Sequence, residues 1–342
     1  MAYVKAAMDT GQREAVLLGN DDISVLIASQ GGMVSGLTHM ASGTNAHWNP
    51  WFRSNSGRPY NPKQDSEFYG GKLLYHVAGN FPCVPNFGGD CIVNGKEYPA
   101  HGAAANEKWF VGHGAAGEDF ACAIYTMQDG DLFYTKHDVV IDGHPVHYTV
   151  FNVYNDGNKS AKINTAWHNT VGAPFLQAGC RIDLSADKYA TPPDEFEPTQ
   201  MFAIGSEFDS LERVPLKKGG ASDARIVPGM IGATDFIAGA IPHDAELGWG
   251  SIVNPVTGLV YVTFFLGPQA AVSRGGYSAI FQLLVDAVWW QAFHTLGKGK
   301  RTSRRDLLPW PRKCHRRFRE WFTIRARASI SARKPNDNRD TA

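Results

Sequence analysis

The sequence has few cysteines, and their number and spacing exclude two common ways of stabilising a fold. The 342-residue chain contains five, at Cys83, Cys91, Cys122, Cys180 and Cys314, and no two have CxxC spacing. An odd number without paired spacing argues against a disulfide framework and against a structural zinc site. We therefore expect reduced, mostly buried thiols.

Long apolar runs are also missing. No window approaches the roughly 18 to 20 consecutive apolar residues that a membrane-spanning helix needs. The start of the chain, Met1 to Glu14, lacks the apolar core of a signal peptide. We therefore expect a cytoplasmic protein with no membrane partner. Apolar residues make up 43% of the chain and aromatic residues 12%, which is enough for a full core and excludes wholesale disorder.

The whole chain has no net charge, because it has 33 basic and 33 acidic residues. Its two parts, taken separately, are both charged. Residues 1–282 have 18 basic and 28 acidic residues, whereas residues 283–342 have 15 and 5. Eleven of those 15 basic residues are arginines, against seven arginines in the rest of the chain. Because the two parts differ in composition, we predict a folded domain over residues 1–282 and an atypical, poorly ordered basic segment over residues 283–342.

Glycine and proline are plentiful, and their placement predicts an all-β protein. The 36 glycines and 19 prolines recur between short β-branched or aromatic runs. No heptad, βαβ alternation or glycine-rich nucleotide loop is present. One run, residues 147–154, carries aromatics on both faces, which predicts that both faces are covered, as in a large β-sandwich. Candidate strands are residues 15–18, 23–27, 120–127, 138–141, 147–154, 162–167 and 259–266.

Two segments combine polar and aromatic residues in a way that indicates a functional site. The first contains Pro85-Asn86-Phe87-Gly88, then His101-Gly102 and Trp109. The second is Trp167-His168-Asn169, where a strand gives way to a loop containing Gly172 and Pro174. A side chain at such a junction is held by a rigid scaffold while remaining accessible, which suits binding or catalysis.

These segments resemble the aldose 1-epimerase family, which has the galactose mutarotase-like fold, a large single-domain β-sandwich. The resemblance covers Ser24 to Gly276 and includes the Gly31-Gly32 hairpin, His101-Gly102 and a second histidine, His168, at a strand end. It implies an isomerase without a cofactor that interconverts the α and β anomers of a free hexose by acid and base catalysis. A small sugar is the implied partner.

The resemblance also implies roles for individual residues. His168 would protonate the ring oxygen, and a histidine suits this task because its ordinary pKa is about 6.5. His101 would hydrogen-bond the developing charge or orient the ring. Asn86, Trp109 and Asp235 would bind sugar hydroxyls or stack on the apolar sugar face. The family's base is a carboxylate near the C-terminus, which this sequence does not show.

One departure from the family leaves substrate preference open. The family commonly has an arginine in the loop where this chain has Val84-Pro85-Asn86.

The resemblance stops between Tyr277 and Leu284, where the basic segment begins. The codons of residues 284–296, read one base downstream, can encode WWMQYGGRPFTPW, and those of residues 312–324 can encode GNATGAFANGLQY. Both peptides resemble the ends of bacterial relatives. We therefore predict that residues 283–342 are a translated frameshift, that the catalytic base is missing, and that the enzyme is inactive if this is so. No nucleic-acid partner is expected.

Two other functions remain open. One is a noncatalytic carbohydrate-binding β-sandwich, and the other is a nucleic-acid-associated protein that acts through its basic tail. A metal site at His137, His144 and His147, near Asp138, is not assigned. Positions three apart on a strand face opposite ways, and Pro145 indicates a turn.

Overall fold

Strands are the main secondary structure of the described residues. The computed structural model describes residues 1–93, 95–158, 160–161, 163–195, 198–229 and 234–267, together with the backbone of Gln282–Leu284. These residues form three short helices, α1 (Pro62–Tyr69), α2 (Lys72–His76) and α3 (Gly102–Asn106). The predicted all-β class is confirmed.

The strands follow one another with short connections, as expected from the regular spacing of glycine and proline. They are β1 (Tyr3–Met8), β2 (Glu14–Gly19), β3 (Ile23–Ala28), β4 (Val34–His39), β5 (Thr44–Asn45), β6 (Phe81–Cys83), β7 (Cys91–Val93), β8 (Lys96–Tyr98), β9 (Phe110–Ala116), β10 (Phe120–Asp129), β11 (Leu132–Ile141), β12 (His147–Asn155), β13 (Ala166–His168), β14 (Arg181–Leu184), β15 (Lys188–Ala190), β16 (Glu207–Phe208), β17 (Val214–Pro215), β18 (Ala221–Ser222), β19 (Phe236–Ala240), β20 (Leu247–Asn254), β21 (Leu259–Leu266) and β22 (Gln282–Leu284).

Two antiparallel sheets face each other in the N-terminal half. One has the order β1-β2-β3-β4-β5 and the other β12-β11-β10-β9. Alternate side chains of each sheet point into the space between them, because strand side chains have a period of two. Val25 and Ile27 from the first sheet and Ala123 and Tyr125 from the second are fully buried in one shared cluster. This shared apolar core holds the two sheets together as a sandwich.

A buried ion pair interrupts the apolar face of β11. Lys136 and Asp138 have no exposed side-chain surface, and the Lys136 ammonium lies 2.5 Å from a carboxylate oxygen of Asp138. The other Asp138 oxygen accepts hydrogen bonds from Thr149 and from His147 Nε2, each at 3.0 Å. Burial by itself raises the pKa of Asp138, but Lys136 and His147 outweigh it and lower the pKa to about 2. The carboxylate is therefore charged and fully partnered within the core.

The second half of the chain adds two further sheets, with the orders β14-β20-β21 and β16-β15-β19-β22. The outward face of β20 and β21 is apolar, since Trp249 and its cross-strand partner Phe264 are 40% and 50% exposed. Among the described residues, no helix is long and apolar enough to span a membrane.

Most of the predicted strands are present, and β21 has the predicted bounds, but two expectations are wrong. The strand predicted at 162–167 is β13 (Ala166–His168), because the Asn164 amide leaves the ladder and donates to the Pro85 carbonyl at 2.8 Å. The prediction that both faces of residues 147–154 are covered fails at the outer face, where Val150 and Tyr154 are 55% and 47% exposed. Lys162 and the segment predicted to be poorly ordered, apart from the backbone of 283–284, lie outside the described residues.

Candidate functional site

His101 lies at the entrance to helix α3 in a conformation that is unusual for a residue with a side chain. Its backbone is left-handed, with φ 64° and ψ 12°, and Gly102 follows with φ 75°. The His101 amide donates to the Gly88 carbonyl at 2.9 Å, and the Gly88 amide approaches His101 Nδ1 at 3.5 Å. The loop before β7 and the start of α3 therefore fix the His101 ring together.

His168 is the last residue of β13, and strand pairing fixes its position. β13 is antiparallel to β6, and His168 lies directly opposite Phe81. The His168 ring stacks on the Phe81 ring, with centroids 4.7 Å apart and planes 9° apart. His168 Nδ1 lies 2.9 Å from the Thr170 hydroxyl oxygen. One ring nitrogen is thus occupied, which leaves Nε2 for a ligand.

The structure brings the two predicted histidines together. The His101 and His168 rings meet edge to face with centroids 5.2 Å apart, and Phe87 lies 5.2 Å and 6.3 Å from them. Both histidines are half-buried. Burial lowers the pKa of His101 to about 4, and burial together with the neighbouring His101 lowers the pKa of His168 to about 3. Both imidazoles are therefore neutral near pH 7.

Asn86 lies in the loop that supports His101. Its amide nitrogen donates to the carbonyls of Gly89 and Pro99, each at 3.3 Å, and its side-chain oxygen is buried with no hydrogen-bond partner among the residues that the structure describes. A buried oxygen with an unused lone pair could accept a hydrogen bond from a ligand. Sugar binding by Asn86 stays a prediction.

Among the described residues, no hydrogen bond or ring contact joins Trp109 or Asp235 to the histidine pair. Trp109 is fully buried in the core, and its indole nitrogen donates to the Ala104 carbonyl at 2.8 Å. The Asp235 carboxylate accepts hydrogen bonds from the amides of Met201 and Phe202. Burial raises the pKa of Asp235. These contacts favour packing and loop-ordering roles, and the sugar-contacting roles remain untested predictions.

Sequence reasoning missed several residues at this site. Phe81 and Phe87 form the aromatic wall beside the histidines, and Thr170 occupies His168 Nδ1. Their sequence signals are weak. The two phenylalanines lie on either side of the Pro85-Asn86 segment, and the threonine lies two residues after a strand-end histidine. They become informative only once β6 and β13 are known to pair.

No aspartate or glutamate among the described residues hydrogen-bonds the ring of either histidine. A search of the described residues for three or more metal-ligating side chains in one group also finds none. The site as described offers two neutral imidazoles, a threonine hydroxyl, an asparagine amide and two phenyl rings.

No protein-family model matches this chain, and no curated protein sequence is significantly similar to it. Solved structures do match. A proposed aldose 1-epimerase from Klebsiella pneumoniae is 13% identical, with a TM-score of 0.53 over 75% of this chain and 64% of that one. A galactose mutarotase-like protein from Clostridium acetobutylicum is 14% identical, with a TM-score of 0.48 over 74% and 81%.

A proposed aldose 1-epimerase from Escherichia coli K12 is 15% identical, with a TM-score of 0.42 over 82% of this chain and 86% of that one. At such identities structural likeness establishes a fold and not an activity. The fold assignment rests on the Klebsiella protein, whose TM-score is 0.53. This chain therefore has the galactose mutarotase-like β-sandwich fold, as its sequence resemblance predicts.

Proposed function

We propose that this chain is an aldose 1-epimerase-like protein that interconverts the α and β anomers of a free hexose. The observation that carries the proposal is the His101–His168 ring pair, 5.2 Å between centroids, on a mutarotase-like sandwich. The proposal includes a small sugar as the partner, no cofactor and a cytoplasmic location. It also assigns residues 1–282 to the sandwich domain and residues 283–342 to a separate basic segment.

The chemistry requires a proton donor at the sugar ring oxygen and an acceptor for the proton of the anomeric hydroxyl. A neutral imidazole has one N–H donor and one acceptor nitrogen. His168 would protonate the ring oxygen as the C1–O5 bond opens, a separate base would take the anomeric hydroxyl proton to leave the aldehyde, and His101 would hydrogen-bond the charge that develops beside the ring oxygen. Phe81 and Phe87 would contact the apolar face of the sugar. When the ring closes on the other face of C1, the proton transfers run in reverse.

A noncatalytic carbohydrate-binding protein is the second candidate, and one observation favours it. Neither histidine ring is hydrogen-bonded to a carboxylate among the described residues, and the acceptor of the anomeric proton has not been identified there. Without a base, a site of this composition can still bind a sugar through hydrogen bonds and aromatic contact. The two candidates therefore differ in turnover and not in ligand.

Polarimetry of freshly dissolved α-glucose and α-galactose tests the proposal, with calorimetry reporting binding. We expect any acceleration of anomer exchange above the buffer rate to fall ~10²-fold or more in His168→Gln. His144→Gln changes an exposed histidine and serves as the matched control. Buffer-level rates with sugar binding that survives His168→Ala would support the second candidate. If the wild-type protein shows neither turnover nor sugar binding, both candidates are rejected.

A further inference from the structure

We propose that Thr170 fixes the tautomer of His168, by donating its hydroxyl hydrogen to Nδ1 and so keeping the ring proton on Nε2. The two atoms are 2.9 Å apart, which is a hydrogen-bond distance. Thr170 is 1% exposed, so bulk water does not compete for its hydroxyl. Thr170 acts through His168 and is a positioning residue.

The direction of this hydrogen bond follows from counting donors and acceptors. A threonine hydroxyl has one hydrogen to donate, and a neutral imidazole has one N–H and one bare nitrogen. Among the described residues, the Thr170 hydroxyl bonds only to His168 Nδ1. If the hydroxyl accepted a hydrogen bond from Nδ1–H, its own hydrogen would be buried without an acceptor, which is costly. Donation from Thr170 to Nδ1 leaves neither group unsatisfied.

The Thr170 hydroxyl is held in place by a network that spans distant parts of the chain. The Thr170 amide donates to the Asn80 side-chain oxygen at 2.7 Å, and the Thr170 carbonyl accepts from the Trp48 amide at 2.9 Å. The Asn80 amide nitrogen in turn donates to the Asn169 side-chain oxygen and to the Tyr261 hydroxyl, each at 2.9 Å. Asn80 therefore holds the Thr170 backbone through its oxygen, and holds the Asn169 side chain and the Tyr261 hydroxyl through its amide hydrogens.

This tautomer decides whether Nε2 of His168 donates or accepts a hydrogen bond. With the proton on Nε2, the ring donates a hydrogen bond at its free edge and cannot accept one there. At His101 the Gly88 amide approaches Nδ1, which favours the same tautomer in the second ring. For anomer interconversion, a consequence that rests on the proposed function, both histidines would act as donors toward the sugar. The base must then be a third group.

Nuclear magnetic resonance tests the tautomer without any substrate. Two-bond ¹H–¹⁵N correlation distinguishes protonated from bare ring nitrogens, and comparison with His168→Gln assigns the His168 signals. We expect wild-type His168 to carry its proton on Nε2, Thr170→Ser to keep this pattern, and Thr170→Val to lose it. Thr135→Val is the matched control. Among the described residues the Thr135 hydroxyl bonds only to Asn152, its cross-strand partner, and both lie on a different sheet from His168.

A wild-type His168 protonated on Nδ1 would overturn the proposal, and so would an unchanged tautomer in Thr170→Val. If Thr170→Val does not fold, the wild-type spectrum and Thr170→Ser still decide. In the anomer-exchange assay we expect Thr170→Val to lower kcat about tenfold, below the ~10²-fold or larger loss for removing the general acid, with KM unchanged. A rise in KM with unchanged kcat would overturn the claim that Thr170 affects turnover through His168. If the proposed function is wrong, the wild-type tautomer should still be as predicted. The two failures are therefore distinguishable.

Discussion

His168 lies flat on the ring of Phe81 because the two residues are direct cross-strand partners. The centroid distance is 4.7 Å, and β13 and β6 each contribute only three residues to the ladder. Neighbouring strand residues face opposite ways, so a slip of one residue would turn His168 away from His101 and place Trp167 in the site. The backbone register of this short ladder thus sets the geometry of the histidine pair.

The stability of the protein should fall in mild acid. His47 and His76 are almost fully buried, and burial lowers their pKa values to about 4 and about 3. Because these values lie below the unfolded value of about 6.5, the unfolded chain binds more protons as the pH falls. Each histidine should lower the unfolding free energy by about 2 kcal/mol between pH 8 and pH 5, with little change above pH 7.

Urea unfolding at pH 8, 6.5 and 5 measures this effect. His76→Gln should remove about 2 kcal/mol of the difference between pH 8 and pH 5, whereas the exposed control His144→Gln should leave it unchanged. An identical pH dependence in wild type and His76→Gln would show that His76 does not contribute.

Gly102→Ala should disturb the site as well as the fold. Gly102 has φ 75°, and a Cβ there would lie 2.3 Å from the Val84 carbonyl oxygen, which belongs to the backbone and cannot move aside cheaply. Gly130→Ala is the matched control, with φ 59° and no atom within 4 Å of the added carbon. We expect Gly130→Ala to cost about 1 kcal/mol of unfolding free energy from strain alone.

Gly102→Ala should cost at least ~2 kcal/mol more, since the added carbon would overlap the backbone. It should also shift the ring resonances of the adjacent His101. Thermal unfolding and histidine spectra measure the two effects. Equal losses in both variants, with His101 unchanged, would contradict the argument.

Asp138→Asn should be among the more damaging single substitutions. It leaves the fully buried Lys136 ammonium without its negative partner, a change that typically costs ~3–5 kcal/mol. Glu107→Gln breaks the exposed pair with Lys72 and should cost less than ~1 kcal/mol. Denaturant unfolding compares the two. A loss below ~1 kcal/mol for Asp138→Asn would mean that Lys136 finds another partner or loses its charge.

The predicted frameshift is tested directly by the coding sequence. We expect the codons for residues 284–296 and 312–324 to encode the two predicted peptides when read one base downstream. Restoring that frame should then supply the missing base and raise anomer exchange at least ~10²-fold over the chain as given. A coding sequence whose shifted frame encodes different peptides would disprove the hypothesis.

Local pattern was enough to predict elements that pair with their neighbours in sequence. β21 matches its predicted bounds because Leu259–Leu266 is an uninterrupted run of β-branched, aromatic and apolar residues. The strand predicted at 162–167 failed because its partner, Phe81–Cys83, lies more than 80 residues away and offers only three positions. The polarity of a segment does not reveal how much partner strand is available to it.

At the site, the family resemblance identified His101 and His168, but not what holds them. Trp109 was predicted to bind sugar hydroxyls or stack on the sugar, a role that stays untested, and the structure packs it 6.1 Å from the rings of Tyr134 and Phe151 in the core. Its direction depends on where β9 enters the sandwich, which the sequence does not state. Thr170 was missed for the opposite reason, since a hydroxyl becomes informative only when a histidine nitrogen is found beside it.

The backbone of His101 is left-handed, with φ 64°, so the residue that is most stable at this position differs from the one that the proposed chemistry needs. Asparagine and glycine adopt this conformation at less cost, by roughly 1 kcal/mol. A histidine codon becomes an asparagine codon through one base change, so a lineage that no longer needed the imidazole could gain stability in a single mutational step.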